Sequence, residues 1–184
     1  MADSPGETIE VLHRVATSLQ SQETVERVCE LTVGAAADVL EFNLCTVLIR
    51  EDEWLVPYAT SKDAPTGGSR RMRLDQGLAG ETYRSERSTV IDRIEPDDES
   101  DPAKSCYRSA MSVPIGEHDV FQAVSEAEAA FDEDDVALAE LLVSHTNTAL
   151  DRLERERELR RQVERLDQFT SVVSHELRTP LSIA

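Results

Sequence analysis

Apolar residues over the first forty positions recur at helical spacing. In residues 7–20, ETIEVLHRVATSLQ, one face collects Ile9, Leu12, Val15, Ala16 and Leu19. The next stretch, SQETVERVCELTVGAAADVL, predicts a second amphipathic helix with Val25, Val28, Leu31, Ala35 and Val39 as its stripe and Ser21 as its N-cap. The period then changes. FNLCTVLIR and WLVPYAT are apolar, β-branched runs around the turn EDE, so residues 42–60 predict a hairpin. SKDAPTGGSR, residues 61–70, is a loop by composition. LDQGLAGETYRSERS predicts a turn that opens a short helix from about Gly77, and TVIDRI a short strand. EPDDESDPAKS is a long acidic loop. SAMSVPI and VFQAVS predict two more strands joined by GEHD, with Pro114 at an edge or bulge position because its nitrogen cannot donate to a ladder. From Phe131 onward the pattern is helical, and DEDD at its start suits the positive end of the helix dipole. Two helices followed by strands interleaved with short helices predict one α+β domain over residues 1–143.

Beyond that domain the helical pattern becomes a heptad. From residue 138 one core position takes Leu138, His145, Arg152, Leu159, Leu166 and Val173. The other takes Leu142, Ala149, Glu156, Val163, Thr170 and Leu177. Most of these are apolar, which predicts a coiled-coil seam. Arg152 and Glu156 interrupt it and Leu153 lies off register, so the seam weakens or shifts there. Asp151 with Arg155, and Glu156 with Arg160, have the favourable order for ion pairs one turn apart. No proline or glycine occurs between residues 117 and 179, and the stripe is too narrow to pack a globule. The expectation is a homodimer through a coiled-coil helix over residues 144–168.

Charge sharpens the division. Residues 1–150 carry 30 acidic and 12 basic side chains, whereas residues 151–184 carry seven of each. The whole net charge of −18 therefore belongs to the first part, which excludes that part from binding nucleic acid or an anionic membrane. Only Lys62 and Lys104 are lysines among 19 basic residues. An acidic, lysine-poor surface fits a salt-rich cytoplasm, where screening quenches self-repulsion. The melting midpoint should accordingly rise between about 0.1 and about 3 M KCl, and a flat midpoint would contradict the halophilic reading. The start MADSPGETIE has neither a basic patch nor an apolar run, and no stretch approaches membrane-spanning length, so the expected location is cytoplasmic.

Cys29, Cys45 and Cys106 are odd in number and widely spaced, which fits neither a disulfide framework nor a zinc site. Three buried thiols is the simplest reading, with Cys106 the one that looks accessible. The two glycines of GLAG are too few for a phosphate loop and predict a helix-opening turn instead.

In this order of elements, DQGLAGETYRSERSTVIDRI, SAMSVPIG and AFDEDDVALAELLVSHTNTALDRLERER resemble the GAF family of small-molecule-sensing domains. The resemblance implies an antiparallel sheet with packed helices and a ligand pocket on one side, its ligand unknown. Tyr83, Asp92, Cys106 and Tyr107 are the pocket candidates it suggests. Bilin attachment, found in the phytochrome branch, is disfavoured because Tyr107 rather than histidine follows Cys106. The family's free methionine sulfoxide reductases need a low-pKa thiolate with a resolving partner, and only Cys106 looks exposed enough.

FTSVVSHELRTPL, residues 169–181, resembles the phosphoacceptor motif of sensor histidine kinases. The resemblance implies that His175 takes phosphate from ATP, that Glu176 accepts its proton, and that Thr179 positions water in the phosphatase direction. In the heptad register His175 lies off the seam, toward solvent. Pro180 cannot donate to the carbonyl of Glu176, which bends the helix. Residues 169–184 would thus be the start of a phosphoacceptor domain. ATP and magnesium would come only with a nucleotide-binding domain, and no cofactor is expected in the chain itself. A response regulator is the implied partner. The alternative is a stand-alone ligand-binding GAF module whose helical tail dimerises. A GAF-bearing transcription activator should instead continue into a helix-turn-helix.

Overall fold

A computed structural model describes residues 5–65, 67–95, 102–117 and 119–178, with side chains described over 10–170 of these. Helix α1 (Pro5–Gln20) and helix α2 (Val25–Val39) pack on each other. Ser21 does not cap α2, contrary to the sequence reading. Its hydroxyl donates to the Ser18 carbonyl at 2.8 Å, closing α1, and Thr24 caps α2 by accepting the Arg27 N–H at 3.3 Å.

Strands β1 (Cys45–Glu51) and β2 (Trp54–Thr60) form the expected hairpin, β1 starting three residues later than residue 42 and β2 falling on the predicted segment. A two-residue strand β3 (Met72–Arg73) pairs with β2. Helix α3 (Gly77–Ser85) and short strand β4 (Thr89–Ile91) follow, then β5 (Ser109–Ile115) and β6 (Asp119–Ser125). The six strands form one antiparallel sheet in the order β3-β2-β1-β6-β5-β4. Pro114 pairs with Val120, but β4 reaches only the stretch Ala110–Ser112, so Pro114 sits at a local edge of an interior strand.

Alternation divides the sheet into two faces. On one, Val47, Phe121 and Ala123 are buried beneath the helices, and Phe42 meets Phe131 edge-on at 5.8 Å between ring centroids. On the other, Leu48 and Val120 pack with Leu55, Met72 and Ala79 of α3. Helix α4 (Glu133–Arg178) starts two residues later than expected. Asp132 accepts the N–H groups of Asp134 and Asp135 at 2.9 and 3.0 Å, and Asp135 accepts the Asp132 N–H in return, which closes the first turn reciprocally.

The chain forms two compact units, Met1–Ala149 and Leu150–Ala184. Within the first, α4 buries Ala139, Leu142, Val143, Thr146 and Ala149, and the Thr146 and Thr32 hydroxyls bond at 2.8 Å. Leu142 and Ala149 are buried as the heptad expects, but its other position, Leu138 and His145, is only half-buried, and Ala139 and Thr146, one residue later, take its place. Up to Ala149 this face of the helix is buried in its own domain, tied to α2 by the Thr146–Thr32 bond, instead of offering a free seam. Within the second unit, Leu159, Val163, Leu166 and Phe169 expose 57% to 68% of themselves. Glu156 accepts from Arg152 at 2.6 Å, whereas the expected Asp151–Arg155 and Glu156–Arg160 pairs are not found among the described residues.

Gly116, at φ +60° in the β5–β6 turn, lies where an added Cβ would collide with Asn147 Oδ1 of α4. Gly116→Ala should therefore destabilise the domain by about 1–3 kcal/mol in denaturant melts. Adding Asn147→Ala should recover the collision's share but not the cost of the positive φ. An unchanged melting midpoint for Gly116→Ala would contradict this packing.

Candidate functional site

The α3 side of the sheet carries a row of polar side chains. Thr60, Thr46, Gln122 and Ser112 are successive cross-strand partners on β2, β1, β6 and β5, so they line up across the sheet although they lie far apart in sequence. The Thr46 and Thr60 hydroxyls bond at 2.7 Å, and Gln122 Nε2 approaches Ser112 Oγ at 3.5 Å. Thr46 and Ser112 are buried, where an unpartnered hydroxyl costs free energy, and their bonds to Thr60 and Gln122 offset that cost.

Above the row are two adjoining cavities of about 50 and about 30 Å³, sharing Gly68, Ser69, Tyr107, Gln122 and Val124. The larger is roofed by the loop carrying Gly68 and Arg70 and walled by Leu78, Ile94 and Ala110. Its volume suffices for several waters or a molecule of a few heavy atoms. Two wider hollows elsewhere on the domain are open to solvent. Tyr107 latches the roof: its hydroxyl donates to the Gly68 carbonyl at 3.1 Å. An added Cβ on Gly68 would stand 2.8 Å from that hydroxyl and from the Pro65 carbonyl, so the close approach requires glycine. Desolvation first, then Cys106 and Glu126, push the Tyr107 phenol up, keeping it a neutral donor at physiological pH.

The four pocket candidates separate in space. Tyr107 is buried and lines both cavities. Tyr83 is half-buried on α3 and packs against the cluster of Leu48 and Met72, with the Arg50 guanidinium 6.0 Å from its ring centre. Asp92 is exposed, and its backbone carbonyl accepts the Ala129 N–H at 2.7 Å. Cys106 is exposed and, like Tyr83 and Asp92, lines neither cavity. His175 and Glu176 lie within the span of α4, their side chains outside the described residues, and Thr179 lies outside the described residues altogether. The sequence reading missed Gln122 and Arg70. Gln122 looks like the ordinary polar member of an alternating strand, and Arg70 belongs to the arginine-rich run SRRMR.

The thiols do not assemble a redox centre. Cys29 and Cys45 are buried and pushed up to about 12, in both cases by desolvation first. Cys45 Sγ contacts the Val33 carbonyl at 3.8 Å, on the helix side of the sheet. Cys106, the one thiol that looks accessible from the sequence, is exposed and is also pushed up, by desolvation and by the neighbouring Glu126 carboxylate. None of the three is an activated thiolate at neutral pH. Among the described residues no cluster of histidine, cysteine or carboxylate groups is arranged for a metal, and no helix is long and apolar enough to cross a membrane.

A curled antiparallel sheet with helices on one face and a latched cavity on the other agrees with a family match over residues 22–151, to the GAF domain. The chain belongs to the GAF domain family. Solved structures share the fold. The free methionine-R-sulfoxide reductase of Neisseria meningitidis, in complex with its substrate, superposes with a TM-score of 0.75 at 17% identity, over 85% of this chain and 95% of that one. The GAF domain of an Acinetobacter phosphoenolpyruvate-protein phosphotransferase gives 0.71 at 15%, over 83% and 97%. Residues 122 to 287 of a methyl-accepting chemotaxis protein give 0.62 at 20%, over 79% and 98%. No curated protein matches the sequence significantly. At these identities the likeness concerns the fold. The family match makes the chain a GAF domain, a regulatory, sensory type of module.

Proposed function

We propose that the chain is the sensory input module of a two-component histidine kinase working in a salt-rich cytoplasm. A small molecule occupies the GAF cavity, the helix beyond residue 150 pairs with that of a second copy, and His175 receives phosphate for transfer to a response regulator. The observation that carries the reading is the free apolar stripe Leu159, Val163 and Leu166, on the helix that leads to SHELRTPL. A stripe of this spacing that its own chain leaves exposed is what a parallel partner helix covers. The Glu176 carboxylate, next in sequence, would accept the imidazole proton, and Thr179 would position water for dephosphorylation. ATP and magnesium would bind on a separate nucleotide-binding domain, since none of the described cavities is lined by a phosphate loop.

The stand-alone GAF module with a dimerising tail is favoured by one observation: the family match ends at residue 151. Filling the cavity separates the two readings. In the chain joined to the remaining kinase domains, Ala110→Leu overpacks the larger cavity at a cost of about 1–3 kcal/mol. The expected result is a folded protein whose rate of His175 labelling differs at least about threefold from the parent, because an occupied cavity biases the output. A labelling rate indifferent to the filled cavity would detach the sensor from the histidine.

A further inference from the structure

We infer that the cavity beneath Tyr107 selects small uncharged ligands that carry an amide edge, an N–H beside a C=O, on a short apolar body. This rests on the cavity being the ligand site of the sensor and adds the chemistry of what enters it. Most polar groups on the lining are already engaged. The Tyr107 hydroxyl donates to the Gly68 carbonyl, and the Thr46 and Thr60 hydroxyls bond to each other. Arg70, the one charged lining residue among those described, has its interaction partner within the chain. Two side chains that line both cavities keep unused bonding capacity. Gln122, half-buried on the floor, makes one long side-chain bond, from Nε2 to Ser112 Oγ at 3.5 Å. Its Oε1 and second N–H have no hydrogen-bond partner among the described residues. The same holds for the hydroxyl of Ser69, half-buried on the roof loop.

A carboxamide offers an acceptor and a donor on one edge, and its complement is another such edge. A ligand amide set against Gln122 would give its N–H to Oε1 and receive the free Nε2 N–H on its own oxygen. The Ser69 hydroxyl, which can donate or accept, would meet what the amide has left over. Leu78, Ile94 and Ala110 wall the space for the apolar body, and about 50 Å³ limits it to a few heavy atoms. Charge of either sign is disfavoured. No carboxylate side chain lines either cavity among the described residues, so a cation would enter without a counter-charge. A carboxylate would turn its lone pairs toward Gln122 Oε1. A ketone would leave that oxygen without a donor, and an unmet buried acceptor costs free energy.

Four matched series of nearly equal size isolate the amide edge. Acetamide, propionamide and butyramide would each be compared with the corresponding methyl ketone, carboxylate and amidinium ion. The full chain would be titrated at fixed ionic strength. Binding would be read by NMR from the backbone N–H groups of the lining residues Ala110 and Val124 and from the Gln122 side-chain N–H groups. At least one amide should bind at least about tenfold more tightly than its three analogues. Gln122→Met should bring amide and ketone within about twofold of each other. Gln122→Glu keeps the shape but puts a carboxylate on the floor, and should move the preference to the amidinium ion by at least about tenfold. Ser69→Ala should weaken the amide about three- to tenfold. An analogue that binds the parent as well as the amide does, or a preference unchanged by both Gln122 variants, would overturn the amide assignment and leave the cavity as a ligand site. If no compound binds up to about 100 mM, the assignment falls as well. The sensor reading is then judged separately, by the His175 labelling rate of Ala110→Leu.

Discussion

Leu166→Asp should turn a dimer into a monomer. At tens of micromolar protein in about 2 M KCl, the parent chain is expected to sediment as a dimer and the variant as a single chain. Leu159, Val163 and Leu166 are 60%, 57% and 65% exposed, and Phe169 beside them 68%, so the free chain leaves this apolar area in water. Covering one such side chain contributes about 1.5–3 kcal/mol, and a parallel pair covers each position twice. Aspartate at 166 removes that gain on both helices and sets two carboxylates against each other across the seam. The dissociation constant should rise by at least about 100-fold. Leu159→Asp should act in the same direction. Arg152 and Glu156 bond to each other one turn apart, which suits a seam that begins after them. The balanced charge of residues 151–184 lets the helices approach, whereas the acidic domains repel, so added salt should tighten the dimer. A parent chain that sediments as a monomer under these conditions would remove the coiled coil from the account.

How much of this was visible in the sequence depends on the range of the signal. The strands β1, β2, β5 and β6 and the helices α1 and α3 announce themselves by local period: β2 and β5 fall on the predicted segments, and the starts of β1, β6 and α1 move by one to three residues. Strand β3 does not, because Met72–Arg73 is two residues long and exists only through its pairing with Trp54 and Leu55. The N-cap of α2 was misplaced because Ser21 and Thr24 are both good caps, and only the three-dimensional chain shows Ser21 already bonded to Ser18. One of the two heptad positions on the first turns of α4 slipped by one residue, from Leu138 and His145 to Ala139 and Thr146, for a related reason. Thr146 is polar by type, but its bond to Thr32 makes it a core residue, a choice that no period of one helix contains.

The candidate cavity was legible only in part. Tyr107 was singled out beside Cys106, and the structure places one at the latch and the other on the surface. Ser112, Gln122, Thr46 and Thr60 come from four strands, and their alignment is a product of register rather than of any motif. Arg70 carries no mark that sets it apart from Arg71 or Arg73. Both of those stack near Trp54, at 4.5 and 5.8 Å from the ring centre, and neither lines the cavity. The SHELRTPL motif is the reverse case, a contiguous string whose chemical meaning needs no tertiary structure to be read from the chain.

That string offers the most direct measurement. With the second hairpin helix and a nucleotide-binding domain of a sensor histidine kinase supplied in one polypeptide, Mg-ATP should transfer its γ-phosphoryl group to an imidazole nitrogen of His175, releasing ADP. An imidazole with a pKa near 6.5 is mostly neutral at pH 7 and has a nitrogen free to attack. The chain by itself should remain unlabelled. Glu176→Gln should slow labelling by about 10²- to 10⁴-fold, the usual worth of positioned proton transfer. Thr179→Ala should leave labelling intact and impair dephosphorylation. The account predicts a label that is labile in acid, stable in base, and absent from His175→Gln; a label that persists in His175→Gln would contradict it.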